Sequence, residues 1–127
     1  MITAIAVAIF GFAGAVSRYG IGLALPDGGE AAFPWATLLV NLTGSILLGF
    51  LIGYASIRKV PGWFKEAAGT GFLGAFTTFS AFNGQLLLLW KHQAYGAAIA
   101  YALISGIGGW LLASAGVKAG SGRRDTA

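Results

Sequence analysis

Two stretches of this sequence carry amide and hydroxyl side chains inside otherwise apolar runs, and they are the first candidates for chemistry. In the first stretch, Thr37, Asn41 and Ser45 recur every four residues, which places them along one face of a helix. A polar group surrounded by hydrocarbon is costly unless it is hydrogen-bonded, and the Asn41 amide needs several partners. On its own, this pattern favours a hydrogen bond between two helices over a role in lining a pore.

The second stretch, residues 69–85, interleaves Gly, Thr, Ser, Asn and Gln with phenylalanines. Gly and Thr are weak helix formers, and hydroxyl groups compete for backbone hydrogen bonds, so this composition predicts a break in the helix near residues 74–78. Backbone groups freed at membrane depth are tolerated only against protein, water or an ion, and broken helices recur at ion sites. A kinked structural helix is an equally good interpretation. The phenyl rings either pack or turn their positive edges towards an anion.

Three further polar side chains lie inside apolar runs. Arg18 lies about five residues before the end of its run, so it can snorkel to the membrane surface, pair structurally, or concentrate anions at a pore mouth. Snorkelling is the interpretation that the sequence favours. Tyr101 and Ser105 are one helical turn apart and either extend the polar face of Asn41 or form hydrogen bonds between helices.

Several chemistries are excluded by residues that are missing. The sequence has no cysteine, which rules out disulfides, thiolate metal sites and cysteine nucleophiles. No Asp or Glu lies deep inside an apolar run, although a proton-coupled exporter needs such a carboxylate to carry the proton. There is no phosphate-binding glycine loop and no cluster of metal ligands, and the lone His92 is expected to be solvated in a loop.

The elements that hold these side chains are predicted to be membrane-spanning helices. Only 9% of the 127 residues are charged and 57% are hydrophobic, whereas about a quarter of the residues of an average soluble domain are charged. Four apolar runs, at about residues 2–25, 35–57, 63–89 and 94–117, each suffice to cross a bilayer. The sequence therefore predicts an all-α membrane protein, with residues 1–127 forming a single transmembrane domain that ends in a short basic tail at 118–127. Because no Lys or Arg precedes the first run, we expect a retained span and not a cleaved signal peptide.

Small residues at helical spacing predict close packing between these helices. Gly49 and Gly53 form a GxxxG step on the second run. The fourth run carries two comparable faces, formed by Ala98, Ala102 and Gly106, and by Ser105, Gly109 and Ala113. We expect these faces to pack tightly, including at an oligomer interface.

The distribution of basic residues predicts the orientation in the membrane. With four spans, the two termini and the second loop lie on one side, and that side carries Arg58, Lys59, Lys65, Lys118, Arg123 and Arg124. The other side carries Lys91, together with Arg18 if it snorkels outward. The positive-inside rule then places both termini in the cytoplasm.

At the second polar stretch the sequence resembles a known family. Residues 70–85 read TGFLGAFTTFSAFNGQ, which resembles the signature of the Fluc-type fluoride channels, also known as CrcB or camphor-resistance proteins. Residues 35–49, WATLLVNLTGSILLG, look like a second family segment, and residues 11–20, GFAGAVSRYG, are similar to its glycine-rich start. The resemblance covers nearly the whole chain.

The resemblance implies a passive channel, and not an enzyme, that exports toxic fluoride from the cytoplasm across the cell membrane. It implies an antiparallel, dual-topology dimer whose two pores lie at the interface, with the third helix broken at mid-membrane. The implied pore residues all offer an N–H, an O–H or a ring edge to the anion: Asn41, Phe79, Phe82, Ser80, Tyr101, Ser105 and Thr37. Arg18 would lie near the aqueous vestibule, and the backbone carbonyls of Gly74 and Thr77 would coordinate a central structural Na⁺.

The chain departs from the family pattern at several positions. Alanine stands at Ala75 and Ala81, Asn83-Gly84-Gln85 replaces a segment that ends in Glu, and Gly109 and Ala113 stand where relatives often carry hydroxyls. These departures shorten the polar path, so a non-conducting or partly degenerate partner subunit is the alternative function. A structural subunit without transport is a further rival, but it leaves the motif at residues 70–85 unexplained.

The uneven distribution of Lys and Arg also bears on the partner. An antiparallel homodimer needs the same chain to insert in both directions, which balanced basic residues favour. The strong bias of this chain predicts insertion in one orientation and pairing with a homologous chain of opposite bias. A homodimer remains the alternative, because charges near the C-terminus are weak determinants of orientation.

Overall fold

The computed structural model describes residues 1–26 and 28–122, and the helices in it are long and apolar. Four of its helical stretches can cross a membrane by length and composition, namely the first span Ile2–Ala24, the second span Trp35–Ile57, the third span Gly62–Lys91 and the fourth span Tyr95–Gly120. The predicted all-α class with four spans is thus confirmed, and the chain is a multi-pass membrane protein. The fourth span extends three residues further than predicted, and Arg123 and Arg124 lie outside the described residues.

Prolines mark the ends of the spans. Pro34 immediately precedes the second span and Pro61 immediately precedes the third, where a residue without an N–H costs no helical hydrogen bond. The first span ends at Ala24, just before Pro26. The second and third connections, residues 58–61 and 92–94, are therefore short, whereas residues 25–34 separate the first two spans.

The second span packs along the C-terminal part of the fourth span through glycine. A Cβ atom at Gly49 would overlap the carbonyl oxygen of Ala113, and one at Gly53 would overlap that of Val117. From the other side, Gly116 and Gly120 meet the carbonyls of Ile46 and Phe50 in the same way. The predicted GxxxG step is therefore at a close helix contact. On the Ala98–Ala102–Gly106 face, Ala98 is buried in a core cluster with Leu38, Leu89 and Tyr101, whereas a Cβ atom at Gly106 would meet nothing within 4 Å.

The first span packs against the N-terminal half of the third span. Gly14 is buried against the carbonyl of Phe72, and Gly71 lies against Val7, so these two helices also approach backbone to backbone. The first span turns its other side outward. Large apolar side chains are exposed along it at helical spacing, as expected of a face that contacts lipid: Ile2, Ile5, Ile9, Phe12, Val16, Tyr19 and Leu23.

The backbone of the third span changes conformation several times. It is α-helical at Gly62–Glu66, π-helical at Ala67–Leu73 and α-helical again at Gly74–Phe76. Thr77 and Thr78 then adopt extended backbone angles, and a further α-helix runs over Phe79–Lys91. The α-helical conformation therefore stops after Phe76 and starts again at Phe79. We call the Thr77–Thr78 pair the interruption. The fourth span also contains a π-helical stretch, Ile104–Gly108, between two α-helices, Tyr95–Leu103 and Gly109–Gly120.

Candidate functional site

The interruption is clamped by the Asn41 side chain of the second span. The backbone N–H of Thr78 donates to Asn41 Oδ1 at 2.9 Å, and Asn41 Nδ2 donates to the carbonyl oxygen of Thr78 at 3.0 Å. One amide side chain thus satisfies both polar backbone groups of a residue that lies outside a helix. Nδ2 carries two hydrogens, so the clamp leaves one of them for a further acceptor.

Threonine side chains finish the helix ends on either side of the interruption. The backbone N–H and the Oγ1 hydroxyl of Thr77 both donate to the carbonyl of Leu73, at 3.0 and 2.9 Å. Thr78 is the N-cap of the next helix, because its Oγ1 accepts from the N–H of Ala81 at 3.2 Å. The two threonines that make this sequence a poor continuous helix are therefore the residues that terminate and restart it.

Arg18 of the first span reaches the same region. Its Nε donates to the carbonyl oxygen of Ala75 at 3.1 Å, within the last turn of the helix that ends at Phe76. Carbonyls in a last turn lack the partner that the next turn would supply, and a cation is favoured at this end of a helix. Of the interpretations left open, the structural pairing is the one seen, since the half-buried side chain donates to the Ala75 carbonyl.

Two open clefts flank the interruption. One, of about 410 Å³, is lined by Arg18, Thr37 and Thr78, together with apolar side chains of the first two spans. The other, of about 300 Å³, is lined by polar and aromatic residues of the second and third spans, including Asn41, Ser45, Gly74, Thr77, Thr78 and Phe79. Thr78 lies on both. Arg18 and Thr37 therefore line the cleft on one side of the interruption, and Asn41 and Phe79 line the cleft on the other side.

A cluster of aromatic residues continues from the second cleft towards the fourth span. The ring centroids of Phe79 and Phe82 are 5.9 Å apart, and those of Phe82 and Tyr101 are 5.0 Å apart. Phe79 is 76% exposed, whereas Tyr101 is fully buried. The Tyr101 hydroxyl donates to Gln85 Oε1 at 3.1 Å. Gln85 is thus joined to the predicted polar path, and the sequence offered no signal for this contact beyond the departure from Glu.

The two remaining serines differ in their surroundings. Ser80 is exposed in the first turn of the helix Phe79–Lys91. Ser105 lies in the π-helical stretch of the fourth span, and its Oγ is buried with no hydrogen-bond partner among the described residues. A buried hydroxyl without a partner is costly, and π-helical turns are frequent at functional sites.

Any metal ion held here would bind backbone oxygens. The described residues contain no group of three or more His, Asp or Glu residues that could hold one. The helix that ends at Phe76 leaves carbonyl oxygens in its last turn, of which those of Leu73 and Ala75 have the partners given above. Gly74 and Thr77 both line the second cleft, and carbonyl oxygen is a suitable ligand for a hard cation. The donor set therefore fits the predicted Na⁺.

His92 has a partner, contrary to the expectation of a merely solvated side chain. Its Nε2 lies 3.0 Å from Glu30 Oε2, which joins the loop after the first span to the loop after the third. The two side chains are 44% and 72% exposed, so this contact belongs to the surface and not to the candidate site.

Known proteins resemble this chain over most of its length. Residues 5–117 match the family described as CrcB-like protein, Camphor Resistance (CrcB), and this range includes all the candidate residues named above. The chain is 39% identical over 121 residues to Fluoride-specific ion channel FluC 2 of Geobacillus kaustophilus, covering 94% of both. It is 39% identical over 117 residues to Fluoride-specific ion channel FluC 1 of Bacillus cereus, covering 91% of this chain and 85% of that protein. It is 40% identical over 121 residues to Fluoride-specific ion channel FluC 2 of Lactobacillus johnsonii, covering 95% and 98%.

Proposed function

This chain belongs to the CrcB-like, camphor-resistance family, and we propose that it forms a fluoride channel that lets toxic cytoplasmic fluoride leave the cell passively. The observation that carries the proposal is the extended Thr77–Thr78 pair, held by Asn41 between two helices of the third span. Non-helical backbone is tolerated in a membrane only where protein, water or an ion satisfies it. Residues 62–76 and Phe79–Lys91 flank the pair, so it lies about halfway along the span, which supports a position near the middle of the bilayer.

The pore is proposed to run past both sides of the interruption. Arg18 and Thr37 line the cleft where an anion would enter, and the Arg18 charge raises the local anion concentration. Asn41 offers the amide hydrogen that Thr78 does not use, and Phe79 and Phe82 offer ring edges. Tyr101, Ser105 and Ser80 continue the path with hydroxyl groups. Together these groups replace the water around a small, strongly hydrated anion, and they fit the larger chloride ion less well.

No energy source is required for this export. Hydrogen fluoride crosses membranes as the neutral acid and ionises in the less acidic cytoplasm. The membrane potential, negative inside, then drives the anion outward, with about 2.3 kcal/mol per elementary charge for each 100 mV. A channel is sufficient, which agrees with the absence of Asp and Glu from the middle of the spans.

The pore is proposed to be completed by a second subunit in an antiparallel dimer. In the single chain both clefts are open and Phe79 is largely exposed, although it belongs to the proposed path. A second subunit packed on this side would cover both. The backbone carbonyls of Gly74 and Thr77 from the two subunits would then hold a structural Na⁺ near the symmetry axis, where the ion would supply positive charge that links the two interruptions.

The partner subunit is proposed to be a homologous chain that inserts in the opposite orientation. The side that carries the termini and the second loop has six Lys and Arg residues, and this bias favours one orientation with both termini in the cytoplasm of the cell membrane. The relatives carry the names FluC 1 and FluC 2, which is compatible with paired subunits. The homodimer is the other outcome of the test below.

A second candidate function is a partner subunit that conducts poorly or not at all. Gly109 and Ala113 offer no hydroxyl in the fourth span, and Ser105 Oγ is the remaining hydroxyl between them and Tyr101. A path with fewer hydroxyls replaces less of the hydration of the anion. Such a chain would support conduction only through the pore that its partner lines.

A fluoride-electrode assay on liposomes distinguishes these functions. The chain is purified alone and together with a homologue of opposite charge bias, and efflux is followed for fluoride and for chloride. We expect fluoride efflux without chloride efflux. Efflux from the chain alone supports a homodimer, efflux only with the homologue supports a heterodimer, and no fluoride efflux from either preparation overturns the proposal.

Two variants of the proposed path sharpen this assay. Asn41→Asp replaces an N–H donor by an acceptor and is expected to lower fluoride efflux. Phe79→Ile removes the ring edge of a side chain that is 76% exposed, so we expect weaker efflux with assembly preserved. Dimer content by size-exclusion chromatography is the control, and unchanged efflux in both variants would remove these residues from the path.

A further inference from the structure

Gly44 of the second span lies directly against the interruption. It is buried, and a Cβ atom built on it would overlap Cγ2 of Thr77 and come within 3.7 Å of the Phe76 ring. The Thr77 methyl group thus occupies the space that any other residue at position 44 would fill. Asn41 lies three residues earlier on the same helix face and holds Thr78. One face of the second span therefore contacts both residues of the interruption.

This contact differs from the other tight glycine contacts of the described chain. At the other glycines where a Cβ atom would overlap a neighbour, the nearest atom belongs to the backbone of a packed helix: Gly14, Gly49, Gly53, Gly71, Gly116 and Gly120. At Gly44 the nearest atom is a side-chain methyl. The glycines of the first group allow two helices to approach, whereas Gly44 receives one particular side chain.

Hydrogen bonds restrain the Thr77 side chain in this space. Its Oγ1 donates to the Leu73 carbonyl at 2.9 Å, which favours the present rotamer and with it the direction of Cγ2. Its own N–H donates to the same carbonyl, and the next residue is clamped by Asn41. A shift of the methyl group therefore either breaks the Oγ1 hydrogen bond or rotates the Thr77 backbone, including its carbonyl.

We propose that Gly44 is a positioning residue, whose missing side chain forms the slot that orients Thr77 and its carbonyl at the interruption. The inference rests on the proposed function, since it assigns Gly44 to the same ion path. The slot sets the direction of the carbonyl of Thr77, a residue that lines the second cleft and whose carbonyl is one of the oxygens proposed to hold Na⁺. Gly44 thereby acts on the ion without touching it.

The test is a pair of substitutions that add and remove one methyl group. Gly44→Ala adds a carbon where Thr77 Cγ2 lies, and Thr77→Ser removes Cγ2 while it keeps the hydroxyl that bonds to Leu73. We expect Gly44→Ala to lower fluoride efflux at least about tenfold, because overpacking at a fixed site is costly. The double variant is expected to recover efflux to within about threefold of the parent, because the added and deleted methyl groups compensate.

Two matched controls separate this slot from general crowding. Gly44→Ala combined with Thr77→Val keeps both methyl groups and is expected to remain defective. Gly49→Ala meets a backbone carbonyl of the fourth span, so Thr77→Ser is expected to restore none of the stability that Gly49→Ala loses. The second readout is the thermal midpoint of the dimer as Na⁺ is varied, where we expect Gly44→Ala to require more Na⁺ and the rescued variant to return to the parental dependence.

Each result decides the inference. If Gly44→Ala fails to fold, recovery of a monodisperse dimer by Thr77→Ser supports the slot, and failure to recover overturns it. Parental efflux from Gly44→Ala alone also overturns it. If the unaltered protein conducts fluoride and the double variant behaves like Gly44→Ala, the inference fails while the proposed function stands. If the unaltered protein conducts none, with or without the homologue, the proposed function itself fails.

Discussion

The second span meets the third and fourth spans with different kinds of residue. Towards the fourth span it presents Gly49 and Gly53, whose missing side chains let one helix backbone lie against another. Towards the third span it presents Asn41 and Gly44, and these contact particular atoms of Thr77 and Thr78. The first contact joins two regular helices, whereas the second joins a helix to backbone that is not helical.

The difference follows from where the backbone hydrogen bonds go. Where the second and fourth spans touch, both are regular helices whose interior N–H and C=O groups bond within their own helix, so packing needs only close approach and van der Waals contact. At the interruption the groups of Thr78 have no helical partner, and each needs a named one. Substitutions where the second and fourth spans touch should therefore lower stability and fluoride efflux less than substitutions at the interruption.

The largest effect is expected from Asn41→Ala. This change leaves both the N–H and the C=O of Thr78 without a partner, and an unsatisfied backbone group in a membrane costs several kcal/mol. We expect folded dimer and fluoride efflux to fall by more than about 100-fold. Thr43→Ala, two residues away on the same helix, is the matched control. Parental amounts of dimer and parental efflux from Asn41→Ala would show that the clamp is dispensable.

A smaller loss, confined to stability, is expected from Gly49→Ala. The added methyl group forces the second and fourth spans apart at the Ala113 carbonyl, which should lower the free energy of unfolding by about 1–3 kcal/mol, towards the upper end of that range. Fluoride efflux per folded dimer should stay near the parental value, because these helices keep their own hydrogen bonds.

Gly96→Ala is the control for Gly49→Ala, since a Cβ atom at Gly96 would meet nothing within 4 Å. Unfolding in denaturant at fixed detergent compares the two variants. If Gly49→Ala unfolds like the parent, the close approach of the two helices contributes nothing to stability. If it abolishes efflux per folded dimer, the two contacts of the second span are not independent.

Arg18→Lys tests whether the interruption needs a hydrogen bond from the first span or only a charge. Lysine keeps the positive charge but lacks the planar Nε–H that meets the Ala75 carbonyl. We expect up to about a tenfold loss of efflux, corresponding to one charged hydrogen bond. A pure charge effect would leave Arg18→Lys at the parental rate and would instead make Arg18→Met increasingly harmless as ionic strength rises. Efflux at low and high salt separates these outcomes.

Much of this arrangement could be predicted from residue types. Asn41 is too polar to lie in hydrocarbon without partners, and the threonines near residue 77 are poor material for a continuous helix. Both expectations depend only on the free-energy cost of placing these residue types in a membrane helix, and the residue types can be read from the sequence. The four spans follow from apolar length in the same way.

The partners of these residues could not be predicted, for a physical reason. Arg18 bonds to the carbonyl of Ala75, and Asn41 bonds to the backbone of Thr78, and every residue carries the same backbone groups. Glycines pose a similar problem, because Gly44 and Gly49 differ only in what lies opposite them. Ala113 of the expected Ser105–Gly109–Ala113 face does lie in the tight contact with Gly49. The contact continues along the fourth span to Gly116 and Gly120, which the sequence pattern did not single out.

The smallest effect is expected from the pair that joins two loops. His92 and Glu30 are 3.0 Å apart but 44% and 72% exposed, and solvent screens pairs of this kind. Glu30→Gln should change the free energy of unfolding by less than about 1 kcal/mol and leave efflux within about twofold. His92→Gln should match it, because either change breaks the same contact. A larger loss in both variants would mean that a surface contact, and not only the two faces of the second span, holds the interrupted span in place.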